Sequence, residues 1–379
     1  MKTLLFIFGT RPEVIKLSPI IKKFKEYPNE YKVIVCNTEQ QKQLSNQTLD
    51  YFDFKADINL NAMSENQSLA EISSRLLVLL ENVFKEKIDL TFVQGDTISA
   101  FSGALQSFYH KVPFCHVEAG LRSNNLFEPF PEEAFRQMIS RLATFHFTPT
   151  LSNKRALLKE NVAEENIHVV GNTVVDALKS LDVNTSTKIF DEIQLKDDVA
   201  NSKLVLITIH RRENHGERLD VILKAIQYLT RSYPDHVFVL PVHPNPNVKL
   251  KINSTLKHYH NIHLMEALDY PHMVYLMQHA KLILTDSGGI QEEAPTFGCP
   301  VIVLRYKTER IEGVEAGVSE LVGADFNRIV QTSKIILDKN FNESRLKTVN
   351  PYGDGKTCQR IFDIVSAYFN ETLQKKDKF

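Results

Sequence analysis

The chain has 379 residues, 43% hydrophobic and 24% charged, with a net charge of −1. These are the proportions of a soluble globular protein long enough for two domains, and so small a charge excludes a global field that recruits nucleic acid or an anionic membrane, leaving any anionic ligand to local groups. Four scattered cysteines without a C-x-x-C exclude a zinc knuckle or disulfide scaffold and suit a reduced cytoplasmic setting.

The first apolar run, within "TLLFIF" (Thr3–Phe8), is short and soon meets Arg11 and Glu13, so it reads as a β-strand and not a signal peptide. A helix follows from about Pro12. "KVIVC" (Lys32–Cys36) predicts a second strand and a helix through Leu49. "SLAEISSRLLVLLENVFKEK" (Ser68–Lys87) sets Leu69, Ile72, Leu76, Leu79, Leu80 and Val83 on one helical stripe. "DLTFVQGD" and "PFCHVE" add strands, and "HVVGNTVVDAL" closes this series. A polar stretch, Asp182 to Lys203, reads as linker or irregular helix. A second series runs through "LVLITIH", "HVFVLPVHP", "NIHLM", "LILTDSGG" and "PVIVLR", and ends in the helical "KTCQRIFDIVSAYFNETL". Strand and helix alternation predicts parallel sheets covered by helices, hence an α/β chain of two doubly wound domains. Ligands in such sheets bind beyond the carboxyl ends of the strands, which points to a cleft between the domains. No apolar run is long enough to span a membrane.

Polar residues gather at those strand ends. Ser287-Gly288-Gly289 leads from a strand into a helix. Exposed amides and a helix dipole there make an anion site, and Glu293, one turn in, can accept from a vicinal diol such as ribose. A plain strand–turn–helix connection with solvated acids fits the local residues equally well. Arg11 at a helix start, with Pro12 behind it and Lys16 a turn later, is either a phosphate grip or a solvated cap. Asp96 alone reads as an N-cap. Glu118 and Arg122 end "CHVEAGLRS". Glu132 and Glu133 open a helix behind Pro131, where acids complement the dipole. His210, Arg211, Arg212 and Glu213 end "TIHRREN", and His243 sits in a His-Pro loop of the usually structural kind. Together Asp96, Glu118, Glu132 and His210 favour a catalytic cleft.

"FGTRPEVIK", "GDT", "HVEAGLR", "FPEEAFR", "GNTVVDAL", "HRREN", "PVHPNPNV", "LTDSGGIQEEAP", "TER" and "NPYGDG" run in order from Gly9 to Gly355. In this set and order the chain resembles the non-hydrolysing UDP-N-acetylglucosamine 2-epimerases of bacterial type. The resemblance implies glycosyltransferase-B architecture: two Rossmann-like domains, residues 1–171 and a UDP-binding 172–356, with a C-terminal helix near 357–374 crossing back onto the first and the active site in the inter-domain cleft. It implies interconversion of UDP-GlcNAc and UDP-ManNAc through elimination of UDP to 2-acetamidoglucal and re-addition, in a cytoplasmic homodimer that serves cell-surface polysaccharide such as capsule. Carried onto matching positions, Asp96, Glu118, Glu132 and His210 are catalytic. Ser287, Gly288 and Gly289 hold phosphate and Glu293 the ribose, while Arg11, Lys16, Arg136, Arg211 and Arg310 bind the UDP-sugar.

The chemistry agrees. The C2 proton of an N-acetylhexosamine is barely acidic, so it is lost either after oxidation at C3 by NAD or with expulsion of UDP from C1. No G-x-G-x-x-G follows a strand and no Cys/His cluster has ligand spacing, so neither bound NAD nor a metal is expected and the cofactor expectation is none. Expulsion needs a stabilised leaving group and carboxylates near both faces of C2. The chain departs from the family at Gln40-Gln41-Lys42-Gln43, where Gln-His-Arg-Glu is common, and at Gln94, Phe135 and Ile311. The first departure falls where the family holds an allosteric substrate molecule, and Gln40, Gln41, Gln67, Arg75 and His243 are the candidate contacts. The competing readings are a hydrolysing epimerase releasing ManNAc and UDP, a transferase of the same fold, and a non-catalytic nucleotide-sugar sensor.

Overall fold

The computed structural model describes residues 1–64, 67–181, 203–242, 245–347 and 349–376. The described chain forms two compact units, Met1–Ser180 with Tyr352–Phe379, and Leu181–Pro351. The stretch read as a linker lies outside the described residues apart from Lys203.

The first unit carries strands β1 (Lys2–Phe8), β2 (Tyr31–Asn37), β3 (Ile58–Asn59), β4 (Leu90–Gln94), β5 (Phe114–Val117), β6 (Phe145–Thr148) and β7 (Ile167–Val169). They pair in parallel in the order β3-β2-β1-β4-β5-β6-β7. Leu4 to Phe8 are wholly buried, as expected of a central strand covered on both faces. Helix Leu69–Val83 starts at Ser68, whose hydroxyl accepts from the Glu71 amide in a capping box. It buries Ile72, Leu76, Leu80 and Val83, but Leu69, expected on the same stripe, is the helix's first residue and is 41% exposed.

The C-terminal helix Thr357–Lys376 belongs to this unit. Ile361, Phe362, Val365 and Phe369 join the core of Phe6, Phe24 and Tyr31, with the Phe24 and Phe362 rings 5.2 Å apart. The chain leaves the first unit later, and rejoins it sooner, than the expected boundaries at 171/172 and 356/357. Helix Thr173–Ser180 packs on helix Arg11–Lys25 and buries Val174, Val175, Ala177 and Leu178. Asn172 donates its amide to the Tyr352 carbonyl at 2.6 Å, and Asp176 accepts from the Cys358 amide at 3.0 Å. These contacts fix the helix to the first unit whatever its sequence spacing suggests.

The second unit carries β8 (Leu204–Thr208), β9 (Val237–Pro241), β10 (Ile262–Met265), β11 (Leu282–Thr285), β12 (Val301–Val303) and β13 (Ser319–Leu321), parallel in the order β10-β9-β8-β11-β12-β13. In both units the order reverses beside the first strand, between β1 and β4 and between β8 and β11. Loops leaving adjacent strands at such a point diverge to opposite faces and open a crevice for ligand. Among the described residues no helix is long and apolar enough to cross a membrane.

His116 and His146 face each other in register on β5 and β6, both buried. His116 Nε2 lies 2.8 Å from the Gly95 carbonyl oxygen, in the loop after β4. Burial pushes His116 down to about 3 and, with the positive charge of Arg122, His146 down to about 4. Unfolded imidazoles protonate near 6.5, so the stability these neutral rings contribute is complete above that pH and is lost as pH falls toward 4. The thermal unfolding midpoint should therefore drop between pH 6.5 and 4.5, and drop less steeply in His146→Gln, as followed by circular dichroism.

Candidate active site

In the first unit the turn from β5 places Glu118 with φ +65°. A non-glycine residue held there costs about 1–3 kcal/mol, a strain typical of functional positions. The Glu118 carboxylate forms an ion pair with the Lys16 ammonium and accepts from Asn172 Nδ2 at 3.2 Å. Lys16 is itself buried, so charge meets charge away from bulk water. Asp96 follows the Gly95 turn after β4, and its Oδ2 lies 2.5 Å from Arg136 Nη2. Arg136 also donates to Glu133 at 3.1 Å. Thr97, and not Asp96, caps helix Ile98–Tyr109, accepting from the Ala100 amide at 3.0 Å. The cap reading of Asp96 is thereby removed.

The adjacent acids at the next helix divide their work. Glu133 is fully buried and accepts from the Ser123 amide, Gln137 and Arg136. Burial raises its pKa, but these donors outweigh it and hold the carboxyl below the usual range. Glu132 Oε2 is buried without a hydrogen-bond partner. Arg136, expected as a substrate contact, has its guanidinium buried between Asp96 and Glu133. Arg122 is likewise occupied: its guanidinium meets Glu160 at 2.7 and 2.9 Å.

Gln40 accepts from Ser99 at 2.9 Å, and Gln41 accepts from the Arg11 amide at 3.2 Å, so both border the loop after β1. Gln67 and Arg75 bond each other at 3.2 Å beside the Ala62 carbonyl. The Ala62 amide in turn donates to the Thr38 carbonyl, which links both pairs through one side of the sheet. His243 lies outside the described residues.

In the second unit Asp286 ends β11 wholly buried. It accepts from the amides of His210 at 3.1 Å and Arg211 at 3.0 Å and from Asn214 Nδ2 at 2.9 Å. His210 Nδ1 lies 3.2 Å from the same carboxylate while the ring stays exposed. Ser287 is the N-cap of helix Gly288–Glu293, and its side chain caps no amide. Arg310 lies over this turn, and a Cβ on Gly288 would come within 2.8 Å of its guanidinium, so glycine is needed for the close approach. Glu292 clamps Arg310 Nε at 2.9 Å, and Glu309 pairs with Arg310 and, at 3.0 Å, with Arg305. Burial raises the Glu309 carboxyl, but Arg310, Arg305 and Arg211 carry it down to about 2. Burial and the charges of Arg305 and Arg310 weaken the hold of Arg211 on its proton, and its Nε is buried without a partner. Glu293 sits over Gly289. A helix start, a cation cluster and a glycine that admits them are elements with which proteins hold anions.

A family model described as UDP-N-acetylglucosamine 2-epimerase matches residues 22–366. The chain belongs to the UDP-N-acetylglucosamine 2-epimerase family. A UDP-N-acetylglucosamine 2-epimerase of Campylobacter jejuni is 43% identical over 377 residues, covering 96% of this chain and 97% of the relative. Among solved structures, UDP-GlcNAc 2-epimerase from Neisseria meningitidis bound to UDP-GlcNAc is similar with a TM-score of 0.87 at 41% identity, covering 97% of this chain and 100% of that one. The Staphylococcus aureus MnaA–UDP co-structure has a TM-score of 0.87 at 40% identity, covering 98% and 97%. The fold is thus the two-domain α/β, glycosyltransferase-B type expected from the motifs.

For a chain of the epimerase family, the residues that sequence reasoning passed over are those that hold others: Asp286, Glu133, Asn172, Arg305 and Glu309. Asp286 had a signal, a charged residue closing an apolar strand just before the glycines. Glu133 and Glu309 stand within four residues of the arginines they hold, a spacing that ordinary solvated helix or loop pairs share, and Asn172 reaches Glu118 from a distant segment. Asp286→Asn puts an amide against amide donors, and should slow turnover about 10²-fold by misplacing His210, with the fold checked by circular dichroism. Gly288→Ala should displace Arg310 and weaken UDP about tenfold by calorimetry, with little change in unfolding midpoint.

Proposed function

We propose that this protein interconverts UDP-GlcNAc and UDP-ManNAc at C2 without releasing free sugar. The observation that carries the reading is in the first unit, where Glu118 and Asp96 leave neighbouring strands and each is paired with a cation, Lys16 and Arg136, while Glu132 opens the next helix with a buried unpartnered oxygen. Inversion at C2 asks for a group that removes the proton from one face and another that returns one to the opposite face. The Lys16 ammonium pairs with the carboxylate of Glu118, the proposed proton acceptor.

The second unit supplies what the leaving group needs. The amides after Ser287, together with Arg310 and Arg211, stabilise the diphosphate as the C1–O bond breaks, and Glu293 takes the ribose hydroxyls. His210, oriented through Nδ1 by Asp286, stabilises or protonates the departing diphosphate; where it gives up a proton the imidazolium becomes neutral imidazole, and re-addition of UDP returns the proton. Breaking C1–O with loss of the C2 proton gives 2-acetamidoglucal and UDP. Re-addition of UDP at C1 with protonation of the other face of C2 gives the epimer.

Incubation with UDP-GlcNAc in D2O, followed by proton NMR, tests this. Deuterium should appear at C2 of a nucleotide sugar, with no build-up of free ManNAc. Accumulation of ManNAc and UDP would assign the hydrolysing reaction, and retention of the C2 proton over many turnovers would exclude the solvent-exchanging route. Glu118→Gln should lower kcat by about 10²–10⁴-fold while UDP affinity holds, because the nucleotide rests on the second unit.

A further inference from the structure

Glu13 belongs to no role assigned so far. It is the third residue of helix Arg11–Lys25 and is 1% exposed. Its Oε2 accepts from the Gly9 amide at 3.0 Å, the Thr10 amide at 2.8 Å and the Thr10 hydroxyl at 2.8 Å. Its Oε1 accepts from the Thr97 hydroxyl at 2.7 Å. The same chain offers a comparison. Glu71 closes the capping box of helix Leu69–Val83, lies exposed, and takes the Ser68 amide at 2.6 Å. That is what a helix start ordinarily requires. Glu13 does this and also spans to the cap of another helix, at the cost of burying a carboxylate. Burial pushes its carboxyl up to about 7, against the pull of Thr97, Thr10 and Gly9.

The two ends of this bridge carry reactive groups. Lys16, paired with Glu118, sits one turn beyond Glu13 on the same helix. Asp96 immediately precedes Thr97. The loop between is tightly packed, since a Cβ on Gly9 would lie 2.0 Å from Thr38 Oγ1 and 2.5 Å from Ser99 Oγ. We infer that Glu13 is a positioning residue that fixes the distance between the Lys16–Glu118 pair and Asp96 by joining the loops after β1 and β4. The inference rests on the epimerase reading above, in that these groups act on C2.

The bridge is cut from either end with Glu13→Ala or Thr97→Val, and restored in part by Glu13→Gln, whose amide can donate to Thr97, or by Thr97→Ser. The C2 exchange rate, KM, UDP affinity and unfolding midpoint are measured for each. Cutting should lower kcat about 10²-fold with UDP affinity unchanged, and the Glu13→Ala/Thr97→Val double variant should be no slower than the worse single one, as for groups that act as a unit. Thr97→Ser should recover most of the rate. Folded Glu13→Ala with full kcat, or losses that simply add, would overturn the inference. Should Glu13→Ala fail to fold, the Thr97→Val and Thr97→Ser pair decides it, because both keep the first capping box. Wild-type protein that does not epimerise would refute the function instead. The bridge is then read by amide exchange at Gly95 to Thr97, which should quicken in Glu13→Ala, and unchanged protection would sink it.

Discussion

A parallel strand that ends beside its neighbour leaves backbone amides that the sheet no longer pairs, and burying such a donor unsatisfied costs about 1–3 kcal/mol. In both units a buried carboxylate meets this constraint at the point where strand order reverses. Glu13 takes the amides of Gly9 and Thr10 after β1, and Asp286 takes those of His210 and Arg211 after β8. Each also crosses to the adjoining strand's loop or comes from it: Glu13 to Thr97 beyond β4, Asp286 from β11 to β8. A carboxylate with acceptor sites on both oxygens can do this where a hydroxyl cannot. The loops are therefore ordered by the chain's own groups, the preorganisation that positioning of reactive side chains requires.

The candidate groups of each unit are correspondingly rich in buried charge. Lys16 with Glu118, Arg136 with Asp96 and Glu133, and Arg310 with Glu292 and Glu309 are all taken largely out of water. Such pairs add little net stability, since desolvation offsets most of the Coulomb gain. What they supply is geometry and ionisation state. A lone buried acid would rise in pKa and protonate, whereas the partnered Glu309 is held near 2 and Glu133 below the ordinary range. Strain at Glu118, with its left-handed backbone, is sustained in the same way, by a cation and an amide that meet at one oxygen of its carboxylate.

The alternation of wholly apolar runs with longer amphipathic ones was enough to set out two parallel sheets, because strands covered on both faces leave no choice of residue. Motifs at the ends of those runs supplied the candidate reactive groups, since ligands of this architecture sit where strands stop. Short strands were harder. Phe145–Thr148 and Ser319–Leu321 are too brief to show a period and are defined by the neighbours they pair with. Local spacing could not decide which of two adjacent acids turns inward. Packing sent Glu133 into the core with Arg136 and left Glu132 with a buried oxygen that has no partner, and it gave Glu292 to Arg310 and left Glu293 above Gly289. Nor does any spacing show that Arg122 is occupied by Glu160, that Arg136 anchors Asp96, or that Glu13 reaches Thr97. Sequence by itself determined where charge stands along the chain. Which charge faces which partner was decided only by tertiary structure, because an ion pair or hydrogen bond depends on a few ångströms of separation between segments that the chain order holds far apart.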